Sequence, residues 1–307
     1  MDYAAKLEQL SVIAIRGEDS QEFLSNQFTS DITSIQDGEI RQSAWCDPKG
    51  RVLFTPLVFK SGDAYGCLIA NELSENFHRR LSMFVLRAKV TIEQVDNDGV
   101  WGLQLDNIDR PIEVLNAANE FGLSPLKFLN NGLDLNNSAR YYLIGNVDSL
   151  ERFFAETALP RDDERWYIDQ IKLGIPEVTT ELSGEFLPQH LNLDALNAVS
   201  FQKGCYPGQE IIARLKYRGK VKQRLYRLVP SGSTPRSACI ELLSNVFATT
   251  DPEKKIGQIV SARADTSNSY ALAVLDVEVA NKPDGAVRIA NVDGHFSIAP
   301  PAYQIPD

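Results

Sequence analysis

The chain has 307 residues, of which 43% are hydrophobic, and a formal net charge of −10. That length and apolar content suit two or three packed units built around real cores, and the negative charge argues against a protein coated for general nucleic-acid binding. The longest apolar runs, such as 270–277, fall well short of the roughly 20 residues that a membrane helix needs, and the N-terminus carries no basic-then-apolar signal pattern, so the cytosol is the expected address.

Residues 10–15 are an apolar run rich in β-branched side chains and read as a strand. Gly17-Glu18-Asp19-Ser20 breaks it, with Asp19 or Ser20 as the N-cap of a helix reaching Gln27. Residues 43–46 and 51–59 flank Asp47-Pro48-Lys49-Gly50, a turn with proline second and glycine fourth, which predicts a hairpin. A strand over 64–70 and a helix over 73–86 complete a first α+β layer. The pattern then renews with strands at 89–94 and 101–105, a helix over 111–121, a loop or surface hairpin over 127–137, a strand at 141–145 and a helix over 149–158. Asp162-Asp163-Glu164 precedes a helix over 165–173 that ends at Gly174, with Pro176 beyond it. Residues 186–199 are punctuated by polar side chains and predict a segment that wraps over a surface. From 221 onward, period-two stretches at 221–229, 238–243, 256–262, 270–277, 286–289 and 295–298 predict a small all-β barrel with a boundary near Gly219.

The most specialised stretch is Lys203-Gly204-Cys205-Tyr206-Pro207-Gly208-Gln209-Glu210. It predicts a glycine-hinged turn feeding a helix that has Pro207 in its first turn, Glu210 against the positive dipole end and Gly219 as its stop. Cys205 then lies just ahead of a helix N-terminus, where free N–H groups, the dipole and Lys203 favour the thiolate, the form that acts as nucleophile or metal ligand. The alternative is a buried cysteine that only packs. The other cysteines, Cys46, Cys67 and Cys239, are widely spaced with no CxxC pair, so all four read as reduced thiols. Residues 203–227 hold eight positive side chains against Glu210 alone, a local charge of +7 that leaves −17 elsewhere. A solvated helix face followed by a basic strand accounts for it, and the sharper reading is an anion site for a carboxylate-bearing tail, a phosphate or an acidic partner. His78, His190 and His295 are far apart, and the chain has no Walker loop and no GxGxxG after a strand, so zinc, triad, ATP and NAD chemistry have no foothold.

The Lys203–Glu210 string closely resembles the signature of the YgfZ family of folate-binding proteins, KGC-aromatic-x-GQE, a family that shares the aminomethyltransferase (T-protein) fold of the glycine cleavage system. Gly17-Glu18-Asp19, Phe23-Leu24, Gln27, Thr29, Asp31 and Cys46-Asp47-Pro48-Lys49-Gly50-Arg51 resemble the family's opening. Phe186-Leu187-Pro188-Gln189 with Asn192-Leu193, and Ile256 to Ser261, resemble its later segments. The resemblance implies an α+β architecture: a first unit over 1–88, completed by a return segment 160–218 that carries the signature, a second unit over 89–159, and a C-terminal barrel over 219–307. The two α+β units would frame a central funnel, with 160–215 packed back on the first unit so that the Asp47 hairpin and the signature meet.

The same resemblance implies tetrahydrofolate as cofactor, with Trp166, which by residue type reads equally as a core side chain, as a stacking platform for the pterin. A second family tryptophan falls on Leu10 here. Read as chemistry, Gln189 and Asn192 offer amides for a pterin edge, Asp47 a carboxylate or simply a turn cap, and Arg214 a bidentate partner for the folate carboxylates. The function implied is support of iron–sulfur cluster assembly or repair in a subset of enzymes, among them one that thiomethylates tRNA, with Cys205 as the reactive thiol and Lys203 lowering its pKa. A folate-dependent one-carbon transferase and a tRNA- or protein-binding module without folate remain as alternatives.

Overall fold

In the computed structural model the described residues are 2–106, 111–129, 139–231, 239–266, 268–282 and 286–306. The predicted loop or hairpin over 127–137 falls largely outside them. The chain divides into two units: one comprises 1–46, 54–166 and 197–207, the other 47–53, 167–196 and 208–307.

The first unit begins with strands β1 (Tyr3–Lys6) and β2 (Leu10–Arg16) and helix α1 (Ser20–Gln27), followed by β3 (Glu39–Gln42) and β4 (Trp45–Cys46). After β5 (Val52–Phe54), of which residues 52–53 belong to the second unit, come β6 (Leu57–Ser61), β7 (Ala64–Ala70), α2 (Asn71–Ser82), β8 (Thr91–Val95) and β9 (Asp98–Leu105). Helix α3 (Pro111–Glu120), β10 (Ser124–Phe128), β11 (Ala139–Asn146) and α4 (Val147–Thr157) follow, and α5 (Asp163–Leu173) passes from the first unit to the second after Trp166. The two α+β layers expected from the sequence share one nine-stranded sheet, in the order β1-β9-β11-β10-β3-β6-β7-β2-β8. They are joined by a parallel step that pairs Lys127 with Glu39 and Phe128 with Ile40. They also exchange edges: β1 pairs with β9, and β8 pairs with β2.

Alternation along the strands decides which side chain meets which layer. Trp101, Leu103, Tyr141 and Leu143 of β9 and β11 face a core closed by Phe153 and Phe154 of α4, with the Trp101 and Phe154 rings stacked at 4.1 Å. Gly102, Gln104, Arg140 and Tyr142 alternate onto the opposite face. Elsewhere in the unit, Phe28, Trp45, Phe54 and Phe77 form an aromatic cluster with ring centroids 5.2–6.3 Å apart.

The second unit holds helix α6 (Gln209–Arg218) and strands β12 (Gln223–Ser231), β13 (Asn245–Ala248), β14 (Asp251–Ala264) and β15 (Ser269–Asp276). Helix α7 (Val277–Ala280), β16 (Ala286–Ile289) and β17 (His295–Ala299) complete it. The strands close a barrel in the order β12-β15-β14-β13-β16-β17, around a core that includes Val246, Ile259, Ala273, Leu275, Ile289 and Phe296. The long β14 shifts register between Ile259 and Ser261, the irregularity that lets a strand bend around a barrel.

Two expectations are corrected. The strand predicted over 238–243 gives way to β13 at Asn245–Ala248, because Leu243 sits at φ +58, a left-handed conformation that interrupts a strand. Residues 186–199 do not wrap over a surface: Gln189, Leu191, Asn192 and Leu193 are wholly buried, and the polar punctuation turns inward to hydrogen-bond.

Candidate functional site

In the first unit, residues 197–207 lie along the chain that leaves α1. Thr29, itself buried, donates its hydroxyl to Ala198 O at 2.6 Å, and its carbonyl accepts Ser200 N–H at 2.8 Å. Ala44 N–H reaches the same hydroxyl at 2.9 Å. Lys203 donates its ammonium to Phe28 O at 2.6 Å and Ser30 O at 2.8 Å. Phe28 is the C-cap of α1, so the cation meets the negative end of that helix. Burial lowers the Lys203 pKa to about 8 against the opposing pull of Asp31, and Nζ also stands 5.4 Å from the Tyr206 ring. Lys203 is thus the pin of this segment. Beyond it a side chain at Gly204 would meet open space, and Cys205 is exposed, whereas Cys46 and Cys67 are buried and burial pushes the Cys67 thiol pKa far up.

The helix after the signature starts later than predicted. Its first residue is Gln209 and Pro207 lies outside it, because Gly208 takes φ +80 and interrupts helical geometry. Cys205 is therefore four residues ahead of the first helical residue, and Glu210 and Gly219 occupy the first turn and the C-cap as expected.

In the second unit the start of α6 meets the Asp47 turn. A Cβ on Gly208 would fall 2.5 Å from Gly50 Cα and 2.6 Å from Asp47 O, so only paired glycines allow the approach. Asp47 Oδ1 accepts from Lys49 N–H and Arg51 N–H at 2.8 Å each, and Asp47 O accepts from Gly50 N–H at 2.9 Å. The side chain is committed to the turn. Val52 N–H then donates to Phe186 O, and Gly184 N–H to Val52 O, both at 2.8 Å, which ties the turn to the segment carrying Gln189 and Asn192.

Gln189 donates Nε2 to Ile212 O at 2.8 Å, and its Oε1 is buried without a partner among the described residues. Asn192, at φ +55, donates Nδ2 to Leu225 O at 2.9 Å and accepts Leu225 N–H at 3.3 Å. One side-chain amide therefore stands in for a neighbouring strand along β12. Beside it, Arg224 and Asp194 form a buried ion pair at 2.6 Å, 3% and 2% exposed, and the guanidinium also donates to Gln189 O at 3.0 Å and Pro306 O at 3.2 Å. Burial, with the cations of Arg51 and Arg224, drops the His190 pKa to about 4. Arg214 is exposed on α6.

Trp166, in the first unit, is wholly buried on the polar face of β9 and β11. The Arg140 guanidinium lies 3.6 Å from its ring centroid, Tyr142 meets it edge-on at 5.4 Å, and a Cβ on Gly102 would fall 2.6 Å from its six-membered ring. Leu10 is half-buried at the start of β2, paired with Ala70. The structure thus gathers Asp47, Gln189 and Asn192 around the α6 and β12 segment of the second unit, and Lys203 and Cys205 on the α1 segment of the first. Sequence reasoning missed Arg140 and the Arg224–Asp194 pair. The signal for Arg140 was a charged residue in phase with Tyr142 within a buried strand.

The relatives of the chain match about three-quarters of it or more. No family model matches it. It is 27% identical over 314 aligned positions to a tRNA-modifying protein YgfZ of Klebsiella pneumoniae, covering 98% of this chain and 93% of the relative. It is 30% identical to the tRNA-modifying proteins YgfZ of Colwellia psychrerythraea, over 74% of this chain and 71% of the relative, and of Escherichia coli O157:H7, over 74% and 72%. The chain belongs to the YgfZ family. Its fold is that of the glycine cleavage system aminomethyltransferase T from Bartonella henselae, which it matches with a TM-score of 0.70 over 97% of this chain and 85% of the other at 11% identity. Within the KGCYPGQE string Lys203 is half-buried and Cys205 exposed. Among the described residues, this member of the family has no group of three or more His, Cys, Asp or Glu side chains placed to hold a metal ion, and no helix long and apolar enough to cross a membrane.

Proposed function

We propose that this chain binds tetrahydrofolate and supports tRNA modification by sustaining iron–sulfur clusters in client enzymes, including one that thiomethylates tRNA. The observation that carries the reading is the presentation of Cys205: an exposed thiol on a segment pinned by Lys203 and Thr29, in the signature of a family whose relatives are named for tRNA modification. One thiol is too few for a cluster, which takes four cysteine ligands, so any contact with iron or sulfur is shared or transient. Folate enters through the fold. Gln189 Oε1, a buried acceptor lacking a donor, suits an N–H of a pterin, and the exposed Arg214 suits a carboxylate. Trp166 serves from within, by holding Arg140 and Tyr142 in place, since its ring is already covered. A one-carbon transferase needs a carboxylate free to act near the folate, and Asp47 is engaged with two main-chain N–H groups, which favours the cluster-support reading.

The test is titration of the purified chain with tetrahydrofolate, beside Cys205→Ala, together with measurement of thiomethylated tRNA in cells lacking the native protein. The expected result is saturable folate binding by both forms and restored thiomethylation with the wild type alone. Full restoration by Cys205→Ala would overturn the role of the thiol, and absence of folate binding in both would overturn the cofactor.

A further inference from the structure

Ile212 is the fully buried residue of α6. At 100° per residue, Arg214, Tyr217 and Arg218 fall on the opposite side of the helix, all exposed, with Tyr217 67% and the adjoining Ile211 40% exposed. Lys220 and Lys222, also exposed, continue the line past Gly219, and Glu210 at the first turn is the only acid of the segment. This face lies within residues 203–227, which carry +7 on a chain that is −17 elsewhere.

We propose that the face formed by Arg214, Tyr217, Arg218 and Lys220 binds the phosphodiester backbone of RNA at an unpaired loop. Residues four apart on a helix rise about 6 Å, so Arg214 and Arg218 present two guanidinium forks in a row, each suited to bidentate contact with phosphate. An exposed phenol between them offers a surface on which an unpaired base stacks. A line of cations with one aromatic matches a regularly charged polymer carrying flat bases. An acidic peptide is served by cations alone and makes no use of the tyrosine. This contact needs no thiol and shares only Arg214 with the folate reading, so Arg214 is left in place in the variants that test it.

The experiment is fluorescence anisotropy of a labelled, unmodified tRNA transcript with the full chain across a range of salt, using wild type, Arg218→Gln/Lys220→Gln and Tyr217→Ala, with polyglutamate as competitor and thermal melts as a fold check. The double variant is expected to bind at least tenfold more weakly at low salt, with the slope of log K against log salt shallower by roughly 1.4, the value for two lost contacts with a single strand. Tyr217→Ala is expected to weaken binding about fivefold or more at an unchanged slope. Should the double variant fail to fold, Tyr217→Ala decides the matter. Equal tRNA affinity in the folded variants, or displacement of tRNA by polyglutamate at equal charge concentration, overturns the proposal and in the second case assigns the face to an acidic protein. Tetrahydrofolate titrations of the same variants keep a failure of the folate reading separate, because Gln189 is untouched.

Discussion

Replacing Asn192 by alanine separates a structural amide from a ligand-reading one. The substitution leaves Leu225 N–H and Leu225 O, both served by the Asn192 side chain, without partners in the interior. Each unsatisfied main-chain group costs about 1–3 kcal/mol, and the longer bond of 3.3 Å sets its share at the low end, so about 3 kcal/mol is lost together. Alanine at φ +55 adds about 1 kcal/mol, because its Cβ crowds the carbonyl in the left-handed region where asparagine is tolerated. The expected loss is about 4 kcal/mol, a fall in melting temperature of roughly 8–16 °C. The assay is urea and thermal unfolding of wild type, Asn192→Ala and Asn192→Gly. The glycine form relieves the backbone and is expected to recover about 1 kcal/mol, while both variants, below their melting temperatures, keep the wild-type affinity for tetrahydrofolate. A melting temperature within 2 °C of wild type, accompanied by lost folate binding, refutes the reasoning and makes Asn192 a ligand contact.

Two further outcomes follow from burial. In the native state a charged, membrane-impermeant thiol reagent is expected to modify two cysteines rapidly, Cys205 and Cys239, and four after denaturation, since Cys46 and Cys67 are buried. Mass spectrometry of labelled peptides checks this, and rapid labelling of Cys46 or Cys67 counts against the fold described. His190 stays neutral in the fold down to about pH 4 but protonates near pH 6.5 once unfolded, so the unfolded chain binds the extra proton within that window. Stability present above pH 6.5 is lost as the pH falls and the loss levels off below about pH 4; at about 1.4 kcal/mol per pH unit this reaches about 3 kcal/mol. Melts from pH 7 to 4 of wild type and His190→Gln check it, the variant being the one with the flatter profile, and parallel profiles refute it.

Much of the barrel was legible in the sequence because its strands alternate locally: 286–289 and 295–298 predicted β16 and β17 almost residue for residue. The helices other than the four-residue α7 were found for the same reason, within a residue or two at most ends and four at the C-terminal end of α2. Cys205, Lys203 and the glycine pattern also stood out in one dimension, since a left-handed Gly208 and an exposed thiol both depend on residue type. The partners of the polar side chains were not legible. Thr29 with Ala198, Lys203 with Phe28 O, and Asn192 with Leu225 are separated by 169, 175 and 33 residues, and nothing local distinguishes an amide facing a ligand from one facing a strand.

The sequence alone therefore determined most of the elements, though not β1, β3, β10, β13 or α7, together with the family and the stretch that carries the thiol, because periodicity, turn chemistry and a contiguous motif are properties of neighbours along the chain. The tertiary structure alone decided that two α+β layers share one sheet, that Trp166 is enclosed by Arg140 and Tyr142, and that the lysine of the signature pins a helix end. Those outcomes depend on which buried donors and acceptors meet, and the cost of leaving any of them unpaired is settled only when distant segments close around them.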